Sequence, residues 1–436
     1  MKHILKKISH HKYRKQFHLK KDLTLFNATS AGVGGMIGAG IYVLIGAAAG
    51  LAGNSLWITF LFSSIIALFT GLSYAELSTL FPTDAGEYAY VEKATNKFLA
   101  FIVGYLVVVT GIVAAAAIAL GFAGYFSELL RIKSLMIIAL CIIIFLSLVN
   151  LAGISHSKKL NIFLTGFELA GLLILILFGA HLIGTVNYLE MPNGFEKVLE
   201  ATALIFFAYG GFESVVKLSE ETKDARRVIP KALLLSIIIT TTIYTLLGLV
   251  AVSAVGWKEL SMSSAPLALV ASSLLGSKAF VLLAIIAMLS TSNTILITLV
   301  SNSRMIYGIG SKVRKLRLFS KVNRITRTPH YAILLSGIAA SFFVLFENIK
   351  LVAEIANFAI FLSFFSVNSA AIILRYKDKR KRLFKIPLNI GKFPVLSLLG
   401  AIFSIFMISR LPFLVNIYGI SILLIGILLY YLIRER

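Results

Sequence analysis

A chain of 436 residues that is 58% hydrophobic and only 14% charged, with a mean hydropathy of +0.91, has too much apolar surface for a soluble globule. Apolar runs of about twenty residues recur without the alternation of a strand, which predicts an all-α polytopic membrane protein and excludes a β-barrel. The net charge of +23 sits in a tail and in short loops rather than in a soluble domain, so it argues against nucleic-acid binding.

Residues 1–22 form a basic tail with four histidines, His3, His10, His11 and His18, that lack a regular ligand spacing. They read as a solvated cytoplasmic tail, and no metal or cofactor is predicted. Residues 23–436 read as one transmembrane domain. Apolar spans are predicted at about 24–50, 54–81, 98–128 and 134–152, then 159–185, 195–219, 230–255 and 278–308, and finally 330–347, 350–374, 393–411 and 414–433. That makes about twelve transmembrane helices. Residues 83–96 are too charged to cross and predict a short amphipathic helix, while 256–276 predict short capping helices on the opposite side. The segments 312–327 and 377–392 are basic loops. With the N-terminus inside, all but a handful of the 42 Lys and Arg fall on the inner side, so both termini are predicted to be cytoplasmic. The basic loops suit anionic lipid headgroups. Cys141 is alone in an apolar span and predicts neither a disulfide nor a thiolate metal site.

Two of these spans are interrupted. Gly35, Gly38 and Gly40 fall inside the first, and Gly210 and Gly211 inside the sixth. Glycine costs about 1 kcal/mol against alanine within a helix, so such clusters mark places where the helix opens. Open backbone within a membrane survives only where it lines a cavity or is buried by protein. A first span running outward and a sixth running inward make an inverted repeat, with repeat one at about 24–185, repeat two at about 195–374 and extra helices at about 393–433. At the first break the inner half-helix ends near Met36 or Ile37, and the outer half starts near Gly40. Its free amides and positive dipole end suit a carboxylate. The carbonyls that end the inner half, and those near Phe206 to Gly210, suit an ammonium group or a metal cation. Together they fit a zwitterion such as an α-amino acid; the competing reading is a close glycine-mediated helix crossing.

Several motifs then carry a resemblance. Gly38-Ala39-Gly40-Ile41-Tyr42, Tyr74-Ala75-Glu76-Leu77 with Phe81-Pro82 and Gly86-Glu87-Tyr88, Phe207-Ala208-Tyr209-Gly210-Gly211-Phe212-Glu213, and Arg227-Val228-Ile229-Pro230 are together similar to the amino acid–polyamine–organocation (APC) transporter superfamily. The resemblance implies the five-plus-five inverted-repeat fold of the bacterial leucine transporter. It implies carboxylate-binding amides at Ala39 and Gly40, beside Gly38, and amine-binding carbonyls at Ile37 or Met36, Phe207 and Gly210. Tyr209 would join the side-chain pocket.

Four further residues are coupling-ion candidates. Glu168 lies near the middle of the fifth span, where a charge is expensive and so must face the interior. It falls where some proton-coupled members carry a lysine. As a glutamate it would hold the coupling proton, ligate a cation, or serve as a fixed structural group. Glu213 would cap its helix or take part in proton coupling. Ser290 and Thr294 of the eighth span would meet Glu168 or a cation, against the commoner habit of bonding to their own backbone. The function expected is secondary active transport of an amino acid or related organocation across the cell membrane by alternating access, proton-coupled in the first instance. A sodium-coupled or uncoupled exchanger is the alternative, and an intramembrane enzyme or a channel a distant one.

Overall fold

The computed structural model describes residues 23–82, 86–153, 158–312, 314–323 and 325–433. The basic tail 1–22 and its histidines lie outside the described residues. The described chain is helical almost throughout: α1 (Leu25–Met36), α2 (Ala39–Ala52), α3 (Leu56–Leu80), α4 (Gly86–Ala94), α5 (Lys97–Leu130), α6 (Leu135–Leu151), α7 (Lys158–Gly179), α8 (Gly194–Ile205), α9 (Ala225–Ala254), α10 (Trp257–Met262), α11 (Pro266–Leu275), α12 (Ser277–Lys312), α13 (His330–Val344), α14 (Ile349–Lys377), α15 (Val395–Arg410) and α16 (Phe413–Ile433). One hairpin pairs β1 (Asn389–Ile390) antiparallel to β2 (Phe393–Pro394).

Among the described residues, eight helical stretches are long and apolar enough to cross a bilayer: Gly40–Leu80, Lys97–Leu130, Phe163–Leu182, Gly194–Val216, Ala225–Ala254, Ser277–Ser311, Ile349–Lys377 and Phe413–Ile433. The helices α6, α11, α13 and α15 are apolar but shorter. Local chemistry sets several starts. Thr24, Asn96 and Asn348 each accept an amide of the first turn, of Asn27 at 3.4 Å, Leu99 at 3.0 Å and Leu351 at 3.0 Å. The amphipathic 83–96 segment forms α4, and 256–276 forms α10 and α11.

The helices pack in two groups around a central space. One joins α3, α9, α8 and the two halves of the broken first span; the other joins α5, α12, α13, α6 and α14. Two ionic links cross between them, both using α14. Lys350, at its start, meets Glu200 of α8 at 2.7 Å. Arg375, at its end, donates to both carboxylate oxygens of buried Glu76 on α3. Arg382 lies 2.7 Å from the same carboxylate, and the Ile386 amide donates to it at 2.9 Å. Nearby, Arg380 bonds to both oxygens of Asp378 and stacks over Phe81 at 4.6 Å. That hydrogen-bonded pairing holds the Asp378 carboxyl below its ordinary range.

Candidate functional site

Both glycine clusters open the helix, in different ways. The α-helix α1 stops at Met36; Ile37 leaves the helix at φ −73° and ψ 81°, and Gly38 takes φ −142° and ψ −143° before α2 begins at Ala39. No side chain caps the N-terminus of α2. In the second break α8 tightens to a 3-10 turn over Phe206–Tyr209, and Gly211, at φ +113°, swings the chain into a further 3-10 helix, Phe212–Glu221. That φ is open to glycine at little cost. The second half-helix is therefore a 3-10 helix at its start, where the sequence predicts an ordinary α-helical half. Glu213 accepts the Gly211 amide at 2.9 Å, so its capping role is met in the structure.

The breaks touch. A Cβ at Gly40 would stand 2.5 Å from Ala208 Cα, and one at Gly211 would stand 2.3 Å from the Gly35 carbonyl oxygen. At these two positions the close-crossing reading of the glycines holds. A tyrosine hydroxyl from a neighbouring helix then takes up freed carbonyls. Tyr244 of α9 donates to Met36 at 2.6 Å and to Ala208 at 3.1 Å, so one hydroxyl bridges both breaks. This is how unwound backbone stays satisfied away from water. Two further tyrosines brace helical segments beside the breaks: Tyr42 donates to the Glu168 carbonyl at 3.1 Å, and Tyr125 to that of Tyr42 at 2.7 Å.

Between the breaks and helices α5, α12 and α14 lies a cavity of about 220 Å³. It takes in seven of the predicted residues: Met36, Gly38, Gly40, Phe207, Gly210, Glu213 and Thr294. Two expectations are corrected here. The Met36 carbonyl already accepts Tyr244 and the Gly38 amide, the latter at 2.8 Å, so both its lone pairs are in use. Tyr209 is not on the wall. Its ring packs on Phe206 and Tyr244, and its hydroxyl donates to the Phe60 carbonyl at 2.9 Å, so it supports the break from behind. The Phe207 carbonyl accepts Gly210 N–H at 3.2 Å and keeps a second lone pair.

Ile37 is fully buried and, with Glu168 and Ser290, lies off the cavity wall. The Glu168 carboxyl, 3% exposed, faces the Ser290 hydroxyl. Neither Glu168 Oε1 nor Ser290 Oγ has a hydrogen-bond partner among the described residues. Thr294 links this spot to the cavity, since it lines the wall while its hydroxyl donates to the Ser290 carbonyl at 3.0 Å.

Sequence reasoning missed part of the wall. Tyr74, Glu87, Asn302 and Phe364 all line it, and Tyr74 donates to Glu87 at 3.1 Å. Tyr74 and Glu87 stand inside motifs noted in the sequence, but nothing there shows that α4 turns Glu87 inward. The described residues lining the cavity include no Lys, Arg or His. The space communicates with the α1 side of the breaks, where Gly35 is exposed and Gly34, Gly211 and Ser214 are half-buried. On the α2 side Ile41, Tyr42, Ile45 and Ala49 are fully buried, and α10 and α11 pack over them.

The amino acid permease family model matches residues 23–431. The chain is 27% identical to the branched-chain amino acid permease BcaP of Bacillus subtilis, over 96% of this chain and 94% of that one. It is 26% identical to the methylthioribose transporter of the same organism over the same shares. Against the Bacillus subtilis glutamate/serine transporter AimA the identity is 27%, over 96% of this chain and 82% of the relative. A membrane-spanning helical chain with two facing helix breaks around a cavity, matched along nearly its whole length, belongs to the amino acid permease family of the APC superfamily and is a multi-pass amino acid transporter rather than an enzyme.

Proposed function

We propose that the protein moves an α-amino acid across the cell membrane by alternating access, with both termini cytoplasmic and twelve spans arranged as an inverted repeat plus two helices. The observation that carries this reading is the uncapped N-terminus of α2, whose flanking Gly38 and Gly40 lie on the cavity wall opposite Phe207 and Gly210. The first amides of α2, at Ala39 and Gly40, would take the substrate carboxylate. The amine would rest on the remaining lone pair of Phe207 and on the Gly210 carbonyl, since Ile37 lies off the wall. The Met36 carbonyl has no part in this reading.

Coupling is assigned to Glu168, with protons as the driving ion and Glu213 as a capping residue that adjoins the path. The buried carboxyl facing Ser290, one step behind Thr294, supports it. The same unpartnered oxygens suit sodium, which is the second reading. Reconstituted vesicles with an imposed pH or sodium gradient separate the two. The wild type is expected to accumulate amino acid when the outside is acidic. Glu168→Gln, a permanently neutral side chain, is expected to lose that accumulation while still exchanging internal for external substrate. Wild-type uptake that follows sodium and ignores pH would establish the second reading; uptake by Glu168→Gln with wild-type pH dependence would remove the proton-carrier role.

A further inference from the structure

The end of the cavity nearest α4 is built differently from the helix breaks. Glu87 lines it and is only 4% exposed, yet among the described residues its hydrogen-bond partner is a neutral hydroxyl, that of Tyr74 at 3.1 Å. A buried carboxylate is costly unless a cation or several donors meet it. Asn302 of α12 is also 4% exposed and lines the wall, and its side-chain nitrogen has no partner among the described residues. Several other polar groups on the wall are committed to backbone. Thr110 donates to Leu106, Thr294 to Ser290, Ser214 to Gly211 and Ser363 to Ala359, while Asn357 donates to Ala203 and Leu204. Glu87 is thus a deeply buried acceptor with capacity left for a cationic donor, whereas the Asn302 Nδ2 is a donor that suits an acceptor group of a ligand. Between them and the breaks, Phe364 and Ile360 offer an apolar wall, and Phe364 is held against Tyr74 with ring centroids 5.9 Å apart.

We infer that this end of the cavity is a subsite for the cationic tip of a substrate side chain, with Glu87 as the specificity-determining residue. The inference rests on the reading that an amino acid sits at the breaks. An amino acid such as lysine or ornithine would then lay its methylenes along Phe364 and Ile360 and place its ammonium against the Glu87 carboxylate. The ammonium supplies the charge that Glu87 lacks, and a charge-assisted bond there is stronger than one to a neutral group. A side-chain carboxylate would instead meet Glu87 as a like charge, with no basic residue on the described wall to offset it.

The test is binding of lysine, norleucine and glutamate to the detergent-solubilised full chain, read by thermal stabilisation over a concentration series. Norleucine has the same carbon chain as lysine and lacks the ammonium. In the wild type, lysine is expected to bind about tenfold or more tighter than norleucine, and glutamate not to stabilise at all. In Glu87→Gln, which keeps an acceptor for Tyr74, the lysine advantage is expected to shrink to within about threefold. Wild-type protein that binds norleucine as tightly as lysine would overturn the subsite while leaving an amino acid at the breaks intact. A lysine advantage that persists in Glu87→Gln would overturn the role of Glu87. Should Glu87→Gln fail to fold, Glu87→Asp and the wild-type series still decide: the shorter carboxylate is expected to keep the preference for lysine, though weakened. Stabilisation by none of the three would refute the amino acid reading itself, and the subsite with it.

Discussion

Gly40 has two reasons to lack a side chain, and they can be separated. It stands on the cavity wall, where a side chain would fill the seat proposed for a carboxylate, and its Cα faces the Ala208 backbone across the break. Even alanine there would bring Cβ to 2.5 Å from Ala208 Cα, a contact with backbone that cannot rotate away. Gly38→Ala meets the Thr294 side chain, with Oγ1 at 2.7 Å and Cγ2 at 3.4 Å, which can shift at the expense of its bond to the Ser290 carbonyl. Overpacking of this kind costs about 1–3 kcal/mol, so Gly40→Ala should lower substrate affinity by about tenfold or more and Gly38→Ala by much less. Ligand titrations by thermal shift check the order, and equal losses at the two positions would refute the crossing argument. Glycine spacing makes the break legible in the sequence, because few other features place three glycines in an apolar run. Which glycine touches Ala208 is not legible, since it depends on how two distant segments meet. Glu87 illustrates the same limit. Its charge suggests a solvated loop, and only the packing of α4 against α5 and α14 turns it inward.

At the scale of elements, α14 couples the two helix groups through its ends. Arg375 and Glu76 are almost wholly buried, so neither charge has water as an alternative partner. Removing one member of such a pair strands the other, at a cost of about 3–5 kcal/mol, whereas replacing both with apolar residues is often close to neutral. Glu76→Ala should therefore be among the most destabilising single changes in the chain, and Glu76→Leu with Arg375→Met should recover only part of the loss, because Arg382 and the Ile386 amide still lack their acceptor. Melting of the purified variants in detergent measures both, and a mild effect of Glu76→Ala would show that water reaches the pair. The helices α4, α10 and α11 are readable because short charged or semi-polar segments between apolar spans are too polar to cross. The 3-10 form of Phe212–Glu221 is not readable. It follows from the turn at Gly211 and from Glu213 folding back onto the Gly211 amide, which a helical periodicity does not report.

For the whole molecule, the sequence makes the membrane class plain and leaves the direction of the chain to its charges. Hydropathy finds spans because lipid admits little else, but it cannot say which way the cavity opens. The cavity communicates with the α1 side of the breaks and is closed on the side of α10 and α11. If positive charge holds loops in the cytoplasm, that open side is the inner one, and the structure corresponds to the state that releases substrate into the cell. The orientation is tested with single cysteines at Arg317 and Lys381, in the two basic loops, and at Lys258 of α10, after Cys141→Ser removes the native thiol. A membrane-impermeant maleimide applied to intact cells should label the Lys258→Cys protein and spare the other two, while inverted vesicles should give the opposite pattern. Labelling of Arg317→Cys or Lys381→Cys from outside would reverse the orientation. The cavity would then face outward, and the parity that makes spans one and six an inverted pair would have to be counted again.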